Sequence, residues 1–476
     1  REVRARTLIA ESFYIDRHFM EEFGQYYARC LAQPPNFCVR YHFFRKTIAA
    51  GDVDHALAAP DGDEILERIR RSYLGFVVIR PLREAPVGRT VLAPYPAAAK
   101  AGGFKREFWP VFPPSGRPFQ QDVHLAGITL QVPGLPFQQQ DNRVGACATT
   151  AIWSSLARVA RMDGGRSPTP AQITEAAVRY FLPEGRAYPS GGLTVEQVCE
   201  ALRSLGTSPE VVPLLCDHSY AEKCPCVDRS KFLLRAYLRS QIPPVIALVP
   251  LEKRRGALRL GPGPSHAVAA VGIRTGPTSR SRRYAGDVTL PAGVDYDQMY
   301  VHDDRIGPYA RTQVTTQPVH LETKQRGLVL ETELGPMLAS RLIVPLYPKI
   351  RTSVLELLKT GLDTIEVLRK FIPGEFSLDV RLVRSGDYLA EVRRGVRGVI
   401  PIPAMAAFMK AAALSRYVGI VEIDLDDAPL LDLVWDTTDR ARFYPRWEGL
   451  VAAVPFDGPN RSVLVDFFTD LDVLAR

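Results

Sequence analysis

The chain has 476 residues, 46% hydrophobic and 24% charged, with a net charge of +8. This is an ordinary balance for a core-forming protein of roughly two to four domains. No apolar run approaches the roughly 20 residues that a membrane helix needs, and seven scattered cysteines do not make a disulfide framework.

Residues 1–128 form a first region that mixes helix and strand. The spacing predicts helices over 12–29 and 63–71 and a strand over 74–81, ended by Pro81. Residues 94–120 are rich in Pro, Gly and Ala and read as irregular. In the second region, 129–335, helices are expected over 147–162, 170–181 and 194–205, the last closed by Gly206. A strand over 211–215 and a helix over 230–240 follow, then strands over 245–249, 266–273 and 299–302. Helices first and strands after them suggest an α+β domain with a mostly antiparallel sheet. The third region, 336–476, alternates helix (353–371, 404–416) with strand (378–382, 418–423), and 378–382 reads as half-exposed. Packing and partner binding are its expected roles, so both flanks are further α/β regions.

The chemistry is expected in the middle region. The run Gln138-Gln139-Gln140-Asp141-Asn142-Arg143-Val144-Gly145-Ala146-Cys147 ends where a helix begins. A thiol there lies among the unpaired N–H groups of the first turn, which favour a thiolate. His266 opens an apolar strand after a Gly/Pro loop and is the candidate base. Asp303 and Asp304 end the next strand and are the candidates to orient it, with Asp303 preferred. An acyl-transfer site also needs donors for an oxyanion. The Cys147 N–H is one; Gln140 is the preferred side chain, with Gln139 and Asn142 as alternatives. His302 alternates to the other strand face and reads as structural, and Trp153 reads as core.

This layout resembles the papain-like cysteine peptidase superfamily, closest to its bacterial, bacteriocin-leader-peptidase-like branch, over about residues 130–310. The matching pieces are Gln140…Cys147-Ala148-Thr149-Thr150-Ala151, Ser265-His266-Ala267-Val268 and His302-Asp303-Asp304-Arg305-Ile306-Gly307. Two departures stand out. The family's glutamine usually lies six positions before the cysteine, where this chain has Asp141, and the usual Cys-Gly is Cys147-Ala148.

The resemblance implies a papain-like core and a cysteine hydrolase cleaving a peptide or isopeptide bond without a cofactor. The same groups would serve an acyltransferase or transglutaminase-like enzyme, and a non-catalytic scaffold is the alternative from another class. A peptide or protein substrate is expected, with a protein partner on either flank.

Other clusters carry less. Cys216, His218, Cys224 and Cys226 have poor zinc spacing, so no metal is expected. Cys30, Cys38 and Cys199 read as packing. The basic runs Lys253-Arg254-Arg255 and Arg280-Ser281-Arg282-Arg283 lack interleaved aromatics and read as solvated loops, so nucleic acid is not an expected partner. A reducing, cytoplasmic setting is expected from the cysteine usage.

Overall fold

Residues 4–94, 105–114, 117–141, 147–162, 164–180, 192–215, 226–276, 282–285, 288–291, 294–321, 324–411, 413–438 and 449–470 are described by the computed structural model. The N-terminal part opens with strand β1 (Thr7–Tyr14) and helix α1 (Arg17–Glu22), which continues as a π turn over Phe23–Tyr27. The single helix expected over 12–29 is therefore a strand followed by a short helix. Two local features divide it. Phe13 takes a left-handed φ of 58°, and Asp16 accepts from the N–H groups of His18 and Phe19 at 3.0 and 3.1 Å, starting the helix there. Next come β2 (Cys38–Phe44), α2 (Ala50–Ala58), α3 (Glu64–Ser72), β3 (Tyr73–Ile79) and β4 (Val87–Leu92). The four strands form an antiparallel sheet in the order β1-β2-β3-β4. Strand β5 (Lys105–Glu107) interrupts the stretch expected to be irregular, and β6 (Gln120–Leu125) pairs with β7 (Ile128–Pro133) as a separate hairpin.

Helices α4 (Cys147–Met162), α5 (Pro170–Ala177) and α6 (Val195–Ser204) follow. Thr169 and Thr194 each form a capping box with the glutamine three residues on, which sets where α5 and α6 begin. After them come β8 (Ser208–Pro213), α7 (Cys226–Arg239), β9 (Val245–Arg254), β10 (Ala257–Leu260), β11 (His266–Thr275), β12 (Arg282–Ala285), β13 (Val288–Leu290), β14 (Tyr296–Asp303), β15 (Gly307–His320), β16 (Lys324–Thr332) and β17 (Gly335–Leu346). Their main sheet runs β10-β9-β11-β14-β15-β16-β17-β8, with β5 on β11. Because β17 also pairs with β9, the strands β9, β11, β14, β15, β16 and β17 close into a ring. The boundary expected after residue 335 thus falls at the first residue of a strand of this sheet.

The C-terminal part contains α8 (Val354–Leu368), β18 (Phe376–Arg384), α9 (Ser385–Arg394), α10 (Ile402–Ala411), β19 (Tyr417–Leu425), β20 (Ala428–Asp436), β21 (Leu450–Pro455) and α11 (Arg461–Asp470). Its sheet is β12-β13-β18-β19-β20-β21, so a hairpin from the middle of the chain supplies one edge. The stretch 378–382 of β18 is not half-exposed: Asp379 and Arg381, its charged positions, are buried. Arg235 and Arg239 of α7 both reach Asp379, and Arg239 also meets Glu422 at 3.0 Å. Arg381 meets Glu422 at 2.8 Å and Glu391 at 2.5 Å, and Arg397 bridges Asp424 and Asp432 at 2.8 and 3.0 Å. The apolar/charged alternation of 378–382 is thus satisfied by ion pairs under a helix rather than by water.

Among the described residues, no helix is long and apolar enough to cross a membrane. The architecture is mixed α+β, with antiparallel and mixed sheets.

Glu422 faces three arginines, which together overcome its burial and hold its carboxyl well below the usual range. Its stabilising contribution is therefore present above the ordinary pKa of 4.5 and lost as pH falls through its folded value. Glu422→Gln should cost about 3–5 kcal/mol at pH 7, read from urea unfolding, because it strands buried cations. The cost should shrink in acid; an unchanged midpoint at pH 7 would show the network to be idle.

Candidate active site

Helix α4 is buried along nearly its whole length, and its small residues let it lie close against the sheet. Ser155 donates to the Pro243 carbonyl just before β9, and Ser154 donates to the Pro136 carbonyl at 2.6 Å. Cys147 is the first residue of this helix and is partly exposed. Its backbone and side chain therefore stand at the end where helical N–H groups lack partners.

His266 is the first residue of β11, and Asp303 the last of β14. The two strands pair antiparallel, with Ala269 opposite His302, which brings the two ends together. His266 Nε2 donates to Asp303 Oδ1 at 2.9 Å, and both side chains are buried. The same Asp303 oxygen accepts from the Arg305 N–H at 3.0 Å, so the turn into β15 holds the carboxylate in place. Burial pulls the imidazole toward neutrality, but the hydrogen bond to Asp303 and the neighbouring Cys147, with the charges of both, raise its pKa to about 9. With Nε2 committed to Asp303, Nδ1 is the ring nitrogen left for the thiol. Burial likewise pushes the Asp303 carboxyl up, yet the His266 hydrogen bond and charge and the Arg305 N–H hold it below its ordinary range. Of the residues expected from the sequence as one constellation, His266 and Asp303 are joined by a hydrogen bond, and Cys147 lines the same cavity as His266.

Asp304 comes third: its Oδ1 lies 3.6 Å from His266 Nε2, beyond a hydrogen bond. Burial dominates its environment, the His266 charge opposes it and the Asp303 charge adds to it, leaving the carboxyl at about 6. His266, Asp303 and Asp304 also present donor atoms within 4.8 Å of one another and are the group among the described residues with cation-ligand spacing. A cation on Nε2 would have to replace the proton now shared with Asp303.

The remaining candidates separate. Gln139 Oε1 accepts from the Val87 N–H at 3.3 Å, so this side chain is tied to the edge of β4. Gln140 is partly buried beside it. Asn142 lies outside the described residues, as do Cys216, His218, Cys224 and the Cys226 side chain. His302 is buried, with Nδ1 3.2 Å from the Pro136 carbonyl and burial holding its pKa at about 3. Trp153 is fully buried in the core.

Sequence reasoning passed over Pro136 and Ser154, which tie the approach to Cys147 to the helix that bears it. The available signal was Ser154 itself, a polar residue seven positions after Cys147 and on the same helix face.

A cavity of about 220 Å³ opens beside Cys147 and His266. Leu193, Val198, Val245, Leu248 and Ile343 wall it, and Arg341 is its one arginine or lysine among the described lining residues.

No protein-family model matches the chain, and no curated protein matches it either.

The raised pKa of Asp304 has a testable sign. A carboxyl lifted from 3.8 to about 6 stabilises the fold only in acid, and that contribution is lost as pH rises through about 6. Asp304→Asn should therefore raise Tm by about 2–5 °C at pH 7.5. The gain should vanish below about pH 4. A lower Tm at pH 7.5 would contradict this assignment.

Proposed function

We propose that the protein is a papain-like cysteine hydrolase acting on a peptide or isopeptide bond. The observation that carries this reading is His266, whose Nε2 is bonded to Asp303 and which lines one cavity together with Cys147. The helix that begins at Cys147 and the closed ring of strands that carries His266 and Asp303 support a papain-like core.

An imidazolium beside a thiol favours the thiolate. In the proposed reaction Cys147 Sγ attacks the carbonyl carbon, and the oxyanion takes the Cys147 N–H and the Gln140 amide. His266 gives its proton to the leaving amine as the carbon–nitrogen bond breaks. It then accepts a proton from the water that hydrolyses the thioester. Asp303 keeps the ring oriented and its charged form favoured, and the apolar cavity receives a side chain of the acyl part. Water as acceptor makes the enzyme a hydrolase; an amine at the same place would make it an acyltransferase.

The flanking domains are proposed as partner-binding surfaces. A cytoplasmic setting is supported by Cys30, Cys38, Cys147 and Cys199, which are free thiols.

Iodoacetamide at pH 6 provides the direct test, because ordinary thiols, with pKa near 8.5, react slowly there. Cys147 should be alkylated at least about tenfold faster than any other cysteine, as read by peptide mass spectrometry. His266→Ala should abolish the difference, and Asp303→Asn should reduce it. Equal labelling of all seven cysteines would refute an activated nucleophile.

A further inference from the structure

Residues 136–139 lie at a junction that the proposed chemistry does not by itself require. On one side, the Pro136 carbonyl accepts from Ser154 of the Cys147 helix and from His302, the residue before Asp303. The Phe137 ring also sets its edge against His302, with centroids 5.8 Å apart. On the other side, Phe137 exchanges two backbone hydrogen bonds of 2.8 Å with Thr90 of β4, and the Gln139 N–H donates to the Val87 carbonyl at 2.9 Å.

A buried ion pair completes the grip. Glu22, at the end of α1, and Arg80, just after β3, meet at 2.9 Å with side chains 0% and 1% exposed. Gln138 Nε2 donates to Glu22 at 2.6 Å, and Arg80 donates to the Gln139 carbonyl at 2.9 Å. Such a pair adds little net stability, because desolvating two charges offsets their attraction. Besides the Ala85 carbonyl, which accepts from Arg80 at 2.8 Å, its partners are two consecutive residues of irregular backbone, and the next residue is Gln140.

We infer that Glu22 and Arg80 are positioning residues, through which the N-terminal domain sets the placement of Gln140 at the site. The inference rests on the reading of Cys147 as nucleophile and Gln140 as oxyanion donor. Holding a donor in place matters for forming a tetrahedral intermediate and not for alkylating a thiolate. The two functions of the site can therefore be read separately in the full-length protein.

The probes are p-nitrophenyl acetate and iodoacetamide. In the first reaction the Sγ–acyl carbon bond forms, p-nitrophenolate leaves, and water then releases acetate from the thioester. Glu22→Gln keeps the shape and removes the charge. Gln138→Ala leaves the Glu22–Arg80 pair intact and serves as the milder variant, should E22Q fold poorly. Both should slow acylation of Cys147 about tenfold or more at saturating ester, while alkylation stays within about twofold of wild type. Acylation unchanged in both variants overturns the inference. A parallel fall of both rates also overturns it, since the pair would then serve the fold alone. Wild-type Cys147 alkylated no faster than the other cysteines would instead remove the nucleophile reading itself, and this inference with it.

Discussion

A buried, protonated imidazole needs counter-charge within hydrogen-bond reach, and the pairing of β11 with β14 provides it. His266 starts one strand and Asp303 ends the other, so their antiparallel register places the carboxylate against Nε2. The pairing tolerates an irregularity between Ala270 and Gly272. A Cβ at Gly272 would come within 2.5 Å of the Phe108 ring and 2.7 Å of the Glu107 carbonyl, so only glycine lets β5 lie against this strand. Helix α4 packs against the same strands, so Cys147 and His266 line one cavity. The site is therefore a consequence of one strand pair and one helix end, packed together in a shared apolar core.

The flanking domains meet this centre through buried charge. On the N-terminal side Glu22 and Arg80 grip the approach to the cysteine. On the C-terminal side four arginines and their carboxylate partners lie between α7 and the outer sheet. Apolar faces would join domains in many orientations, whereas paired charges tolerate one register, since any other leaves a charge unpaired and desolvated. An apolar core also runs without a break from the central sheet into the C-terminal helices and strands, and a hairpin of the middle region forms an edge of the C-terminal sheet.

The elements that were legible share a strong local signal. Helix α4 was read from Cys147 to Met162, the bounds it has, because its small and apolar residues recur at helical spacing. The start of β11 was legible through the Gly/Pro loop before His266, and the end of α6 through Gly206. Elements whose identity depends on distant partners were missed. Residues 12–14 carry helical spacing but belong to β1, where Tyr14 pairs with Cys38 of β2, and β18 alternates like a surface strand although its charged face is covered by α7.

Among the site residues the same division holds. Cysteine at a helix start, histidine at a strand start and aspartate at a strand end are properties of local sequence, and all three were named from it. The choice of Asp303 over Asp304 depends on a 2.9 Å contact against one of 3.6 Å, which strand register and the turn at Arg305 determine. Gln140 was preferred over Gln139 by spacing alone, whereas the structure binds Gln139 to Val87 and the neighbouring Gln138 to Glu22. The sequence by itself determined which residue types could do chemistry and on which elements they stand, because capping, periodicity and strand punctuation act over a few residues. Only the tertiary structure decided which of them meet, because hydrogen bonds between residues 37 to 116 positions apart depend on how sheets and helices pack.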